Sequence, residues 1–145
     1  MLAEIGPDMS RFPSAGHLAS WAGICPGNNE SAGKHKSGKT RKGSKWLRGT
    51  LVESAKAAGR TKGSYLSAQY HRLRGRRGHS KATIAVAHSI LVSAYYMLTR
   101  DQPYQDLGEL FFDHRRIEQA QRHTRRLVQQ LERLGHRVTL EPQAA

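Results

Sequence analysis

The sequence predicts an all-α fold: a compact helical domain with a glycine- and lysine-rich loop and a long amphipathic helix at its C-terminal end. Three observations predict it. Apolar side chains recur at helical spacing in successive segments, no stretch of any length alternates with period two, and serine or glycine stands where each helix should begin or end. Residues 1–6 (Met-Leu-Ala-Glu-Ile-Gly) resemble the last turn of a helix with a glycine stop, so an upstream domain or an internal start is expected. Phe12-Pro13-Ser14 reads as a turn. Ser14 should cap a short helix over 15–22, with Leu18 and Trp21 facing inward and Gly23 ending it. Residues 25–43 hold four glycines and no apolar period, which reads as a loop.

Ser44 should cap the next helix, over 44–58, with Leu47, Leu51, Ala55 and Ala58 as its buried stripe. Gly59 and Gly63 bracket a break. A further helix is expected over 64–73, with Tyr65, Leu66, Gln69, Tyr70 and Leu73 toward one face, followed by a basic turn over 72–78. Ser80 should cap the most apolar helix, 81–99, which is apolar on nearly every face and therefore the central core helix. From about 108 the pattern changes. Ile117, Ala120, Thr124, Leu127, Leu131 and Leu134 are spaced 3, 4, 3, 4, 3, a heptad seam that either packs on its own domain or serves oligomerisation. Residues 138–140 could form a short strand, and 142–145 a tail. The organisation expected is a helical domain over 1–104, including the basic loop 25–43, and a C-terminal helix and tail over 105–145.

Charge is concentrated rather than spread. The formal net charge is +13, yet residues 31–81 alone carry fifteen Lys or Arg against one acid, Glu53. The remainder holds nine basic and ten acidic residues. Within 31–48, Lys34, Lys36, Lys39, Arg41, Lys42, Lys45 and Arg48 stand with no acid at all, and Arg72, Arg74, Arg76 and Arg77 form a second cluster. Uncompensated cations at this density are too costly to desolvate and belong on a surface. They raise the local concentration of a polyanion, and binding then depends on salt through counterion release. These eleven residues are the expected nucleic-acid contacts.

A single cysteine, Cys25, excludes an internal disulfide and fits a reducing compartment. The longest apolar stretch, 82–98, contains His88 and Ser93 and reads as too polar for a membrane span. No secretory pattern opens the sequence, so a cytoplasmic protein without a membrane partner is expected. Gly33 to Thr40 matches the G-x4-G-K-T phosphate loop letter for letter. That mechanism needs a buried strand before the loop and a helix starting at its Lys-Thr, and neither flank supplies one. The eight histidines show no i, i+4 pair, and paired carboxylates are absent, so no metal site is expected in this chain.

Several segments read together resemble one family. Leu2-Ala-Glu-Ile-Gly, Ser10-Arg-Phe-Pro-Ser and Leu18-Ala-Ser-Trp-Ala-Gly-Ile-Cys-Pro-Gly come first. Glu30-Ser-Ala-Gly-Lys34 and Gly38-Lys-Thr-Arg-Lys-Gly-Ser-Lys-Trp-Leu-Arg48 follow. Tyr70-His-Arg-Leu-Arg-Gly-Arg-Arg-Gly78, the run 81–88 and the stretch 134–142 complete the set. In order and spacing they resemble the second domain of the insertion-sequence-110 family transposases. The resemblance implies a DNA recombinase guided by a structured RNA. It also implies an N-terminal ribonuclease-H-like domain, missing here, whose acidic residues hold a divalent metal, and a homo-oligomeric full-length enzyme.

The family's nucleophilic serine opens a Ser-Gly-Gly-Lys motif, which here falls on Ser31. Ala32 replaces the usual glycine and Ser44 the usual asparagine. A serine hydroxyl needs help to attack, and Lys34, Lys36 and Lys39 are placed to stabilise charge on a phosphate. The base is left open between Glu30, His35 and a metal held elsewhere, and Ser37 is the competing hydroxyl. The expected function is DNA strand cleavage and rejoining by a domain inactive without its partner domain. The alternatives are a nucleic-acid-binding remnant that does not cut and an oligomerisation module.

Overall fold

The computed structural model describes residues 1–25 and 29–141, without the side chains of residues 29 and 35–37. It divides into two units, Met1–Glu109 and Leu110–Ala145. The predicted tail at 142–145 lies outside the described residues.

In the first unit, α1 (Leu2–Ile5) ends at Gly6, whose φ of 72° suits glycine. A 3-10 turn at Met9–Arg11 is capped by Asp8, whose carboxylate accepts from the Ser10 amide. Helix α2 (Ala15–Trp21) starts at Ser14, whose hydroxyl accepts from the His17 amide, and stops at Gly23. A two-stranded antiparallel hairpin follows, β1 (Asn29–Ser31) and β2 (Lys34–Ser37). Helices α3 (Lys45–Arg60), α4 (Tyr65–Arg77) and α5 (His79–Arg100) complete the unit. Helix α5 is its axis, packed against α2, α3, α4 and the 3-10 turn. Its Ala82, Val86, Ala87 and Leu91 meet Leu18 of α2, Leu47 and Leu51 of α3 and the linker residue Ile24 in one fully buried cluster.

The all-α expectation holds, with corrections at several junctions. Residues 25–43 are not all loop. The hairpin inside them shows no apolar alternation because Glu30 and the residues at its tip are exposed. Helix α3 runs through Gly59, which has no side chain because the Tyr70 ring lies against it. A Cβ there would stand 3.0 Å from that ring. Gly63, at φ 74°, makes the break instead. The basic turn expected over 72–78 is helical to Arg77, since arginine is a strong helix former and Gly75 is tolerated on the exposed face. Gly78, at φ 82°, separates α4 from α5 and is the N-cap of α5, so Ser80 lies inside its first turn and does not cap it. Trp21 is 45% exposed, its ring tilted against Phe12 at 5.7 Å, and does not join the core. By length and composition α5 does reach what crossing a membrane requires, contrary to the sequence reading. What marks it as a core helix is its burial against α2, α3 and α4.

The segment after α5 is tied down by one carboxylate. Asp106 accepts from the Tyr65 amide at 2.9 Å, the Gly108 amide at 2.7 Å and the Tyr104 hydroxyl at 3.1 Å. The Tyr65 and Gly108 amides hold its pKa below the usual aspartate value, and burial with the Asp106 contact pushes the Tyr104 phenol up to about 12. A depressed folded-state pKa gives stability that is present above the unfolded aspartate value and lost as the pH falls through the folded one. Asp106→Ala is therefore expected to loosen the segment after α5 and to lower the melting temperature slightly at neutral pH. Its melting curve should also lose part of the acid dependence of the native protein below the ordinary aspartate range.

The second unit is the long helix α6 (Phe111–Arg133), with no buried residue. Ile117, Ala120, Thr124, Leu127 and Leu131 form one stripe, and Leu134 caps its end. Arg115, Arg122, Arg126 and Arg133 fall near the opposite face by helical spacing. Arg122 pairs with Glu118 one turn back at 3.8 Å. Residues 136–141 have no regular structure, so the strand expected over 138–140 is absent.

Candidate nucleic-acid interface

The hairpin presents Ser31. In its register Ser31 faces Lys34, Glu30 faces His35 and Asn29 faces Ser37, with an irregularity between Asn29 and Glu30. The turn residues are Ala32, at φ 51°, and Gly33, at φ 72°. Positive φ at both central positions is what a two-residue hairpin turn needs to match strand twist. Glycine adopts it freely, while alanine crowds its Cβ against the carbonyl. Ser31 and Lys34 are both exposed. Lys36 falls in the hairpin, but its side chain lies outside what is described. Ala32→Gly is expected to steady the hairpin by about 1 kcal/mol. That corresponds to roughly fivefold slower hydrogen exchange for amides that open with the hairpin.

Beyond the hairpin the basic run is fixed to the helical core at a backbone-to-backbone contact. A Cβ on Gly43 would stand 2.4 Å from both the Ala22 carbonyl carbon and the Gly23 nitrogen. One on Gly23 would stand 2.7 Å from the Gly43 nitrogen and 2.8 Å from the Arg41 oxygen. Two side groups flank this seam. The Ser44 hydroxyl accepts from the Leu47 amide at 3.2 Å, capping α3, and donates to Glu4 of α1 at 2.9 Å. Arg48 donates to the Gly23 carbonyl at 3.3 Å. The C-terminal end of the basic stretch is thus held against α1 and α2.

Next to it lies an open groove of about 780 Å³. Residues 38–40 form one wall, and Arg48 of α3 and Arg77 of α4 contribute cations. Its floor is one stripe of α5, Lys81, Ile84, Ala85, His88 and Ser89, together with Ile24. Gln69 of α4 donates to the Ser89 hydroxyl at 2.9 Å, while its other amide atom, Oε1, is buried with no partner among the described residues. Partial burial holds the His88 imidazole below the usual histidine range, so it is neutral at pH 7.

Of the residues singled out from sequence, Lys39, Arg48 and Arg77 meet at this groove. Ser31 and Lys34 are at the hairpin tip instead and do not line it. Arg41 and Lys42 are exposed between hairpin and helix, Lys45 is exposed at the start of α3, and Arg72, Arg74 and Arg76 are exposed along α4. Arg72 and Arg76, four residues apart, share a face. Sequence reading missed Gln69, Lys81 and His88 as groove residues. The signal was the 81, 84/85, 88/89 spacing on a helix that read as core throughout. It also passed over Trp46, 80% exposed in the first turn of α3 beside Lys45. Tryptophan so exposed amid cations is a surface on which a base can stack. Among the described residues no three His, Cys, Asp or Glu side chains cluster to hold a metal.

Residues 1–71 match the family model for transposases of the IS116/IS110/IS902 family. The match covers 71 of the 145 residues, from α1 through the first half of α4, and includes the hairpin and the basic run. It supports a transposase role, and such a role implies DNA as a partner. No curated protein and no solved structure matches the chain.

Proposed function

We propose that this chain is the catalytic-serine part of an RNA-guided DNA transposase, gripping DNA with its basic run and supplying Ser31 as the nucleophile. The observation that carries the reading is the hairpin tip. There an exposed serine faces a lysine inside the segment that matches the transposase family, next to a cationic surface held by a close backbone seam. In the proposed step the Ser31 hydroxyl oxygen attacks the phosphorus of a phosphodiester. The serine proton passes to a base, the bond to one deoxyribose oxygen breaks, and that oxygen takes up the proton from the base and leaves as a hydroxyl. A phosphoserine link keeps the bond energy for rejoining, when a DNA hydroxyl attacks it and Ser31 is regenerated. Lys34 and its basic neighbours stabilise charge on the phosphate oxygens as it develops. The contribution of this chain is confined to that hydroxyl and that cationic cradle. The metal belongs to the ribonuclease-H-like domain, which together with the guide RNA completes the proposed enzyme, a homo-oligomer in the cytoplasm.

A second reading, a binding module that does not cut, is favoured by one observation: among the described residues none is hydrogen-bonded to the Ser31 hydroxyl. Both readings require the same first result. Titration with duplex DNA at several salt concentrations should give a log–log slope near −4 to −5, as expected for about five phosphates neutralised. A slope near zero would contradict both.

A further inference from the structure

We propose that the groove between residues 38–40 and α5 takes one unpaired nucleotide, its phosphate at the Arg77–Lys81 end and its base at the Gln69–Ser89 end. The inference rests on the nucleic-acid reading above and adds to it a site for a single extruded base. Four features support it.

First, the groove changes character along its length. Arg77, Ser80 and Lys81 line one end, where α5 begins without a side-chain cap and without an acid in its first turn. Free amides at the start of a long helix, next to two cations, suit a phosphate. Eight residues further along α5, about 12 Å at helical rise, the lining becomes an amide, a hydroxyl and a neutral imidazole. Second, the floor between the two ends is apolar, made by Ile84, Ala85 and Ile24. A flat base can lie on it, whereas a duplex backbone running across the surface would have no use for it.

Third, Gln69 is incompletely satisfied. Its nitrogen donates to Ser89 and its oxygen is buried without a partner among the described residues. Exchanging the two amide atoms would only leave the nitrogen orphaned instead. A buried polar atom left unpaired costs about 1–3 kcal/mol, and the terminal torsion of a glutamine is broad enough to present it to a ligand. The edge of a nucleobase, which carries both donors and acceptors, is a fitting partner. Fourth, the volume of about 780 Å³ falls within the roughly 300–1,000 Å³ of small-ligand sites. A purely electrostatic contact needs no such recess.

The test uses the full chain and a short DNA duplex in three forms: intact, with one bulged 2-aminopurine nucleotide, and with the bulge made abasic. The base-bearing bulge should bind about tenfold tighter than the abasic one, the equivalent of one well-made hydrogen-bonded contact. Its fluorescence should rise as the base leaves the stack. Gln69→Leu should erase that difference and leave binding of the intact duplex within about twofold, since the basic run is untouched. Because Gln69 packs between two helices, Ala85→Phe is a second variant, filling the floor and expected to erase the difference by a different route. The same bulges in RNA identify the source of the nucleotide, and a base-dependent gain on either backbone supports the site. Equal affinity for base and abasic bulges, or a preference that survives both variants, would overturn the proposal while intact-duplex binding still stands. Loss of all duplex binding by the native chain would overturn the nucleic-acid reading as well.

Discussion

Gly43→Ala is expected to unseat the basic run from the helical core. The added methyl would lie 2.4 Å from the backbone of Ala22 and Gly23. Side chains can rotate away from such a clash, but two main chains cannot. Either the segment before α3 lifts off α2 or the end of α2 deforms. Overpacking at close contacts costs typically 1–3 kcal/mol and more when the backbone must move. With about 4–8 °C per kcal/mol for a domain of this size, the melting temperature should fall by roughly 10 °C or more. The Ser44 bond to Glu4 and the Arg48 bond to Gly23 span the same seam, so they should weaken together with it. Gly49→Ala is the control, because a Cβ there meets nothing within 4 Å. In the middle of a helix that change should stabilise by a few tenths to about 1 kcal/mol. Equal melting temperatures for the two variants would show that the seam is not as close as the structure has it.

The other large effect is on binding. Replacing Lys34, Lys39, Arg41 and Arg77 with glutamine removes charge from the hairpin tip, the groove and the stretch between them, while keeping side chains of comparable reach. Each phosphate that is no longer neutralised should reduce the log–log salt slope by about 0.9, and at 0.1 M salt each is worth about eightfold in affinity relative to 1 M. With Arg77 reserved for the groove, the three phosphates facing Lys34, Lys39 and Arg41 would lose their cations, weakening duplex binding by roughly 500-fold at 0.1 M salt and flattening the slope by about 2.7. Helix content should not change, because all four positions are at the surface. Arg48 is left in place because its bond to Gly23 gives it a structural part. An unchanged slope would move the binding face elsewhere, either to the Arg72 and Arg76 face of α4 or to the arginine face of α6.

Much of the helical frame was legible because its signals are local. Ser14 and Ser44 each cap the helix they precede, as expected, Ser64 caps α4 rather than opening it, and the Leu47, Leu51, Ala55 spacing is the buried stripe observed. What sequence could not show depended on contacts distant in the chain. Gly59 looked like a stop until Tyr70, eleven residues later, was seen to occupy the space of its missing side chain. Gly43 read as loop composition, and only its contact with Gly23 reveals why a side chain is excluded. The hairpin escaped notice because a two-stranded ribbon with an exposed tip needs no apolar alternation. The clustering of charge was legible as a net sum. The groove was not, since it takes Lys39, Arg48, Arg77 and Lys81 from a loop and three helices. The separation of the hairpin serine from the groove was equally hidden, because Ser31 and Lys39 are near in sequence but fall in different features of the fold.

The central claim is that Ser31 is the attacking group, and trapping the covalent intermediate tests it most directly. The measurement is denaturation-resistant protein–DNA adduct in a recombination-competent complex that supplies the ribonuclease-H-like domain and the guide RNA. The native chain should form the adduct there and none when mixed alone with DNA. Ser31→Ala should abolish it while leaving salt-dependent DNA binding within about twofold, because a neutral hydroxyl contributes little to counterion release. Adduct that persists in Ser31→Ala and disappears in Ser37→Ala would put the nucleophile six residues further along the hairpin. Adduct that survives both changes would place it outside this loop and contradict the account.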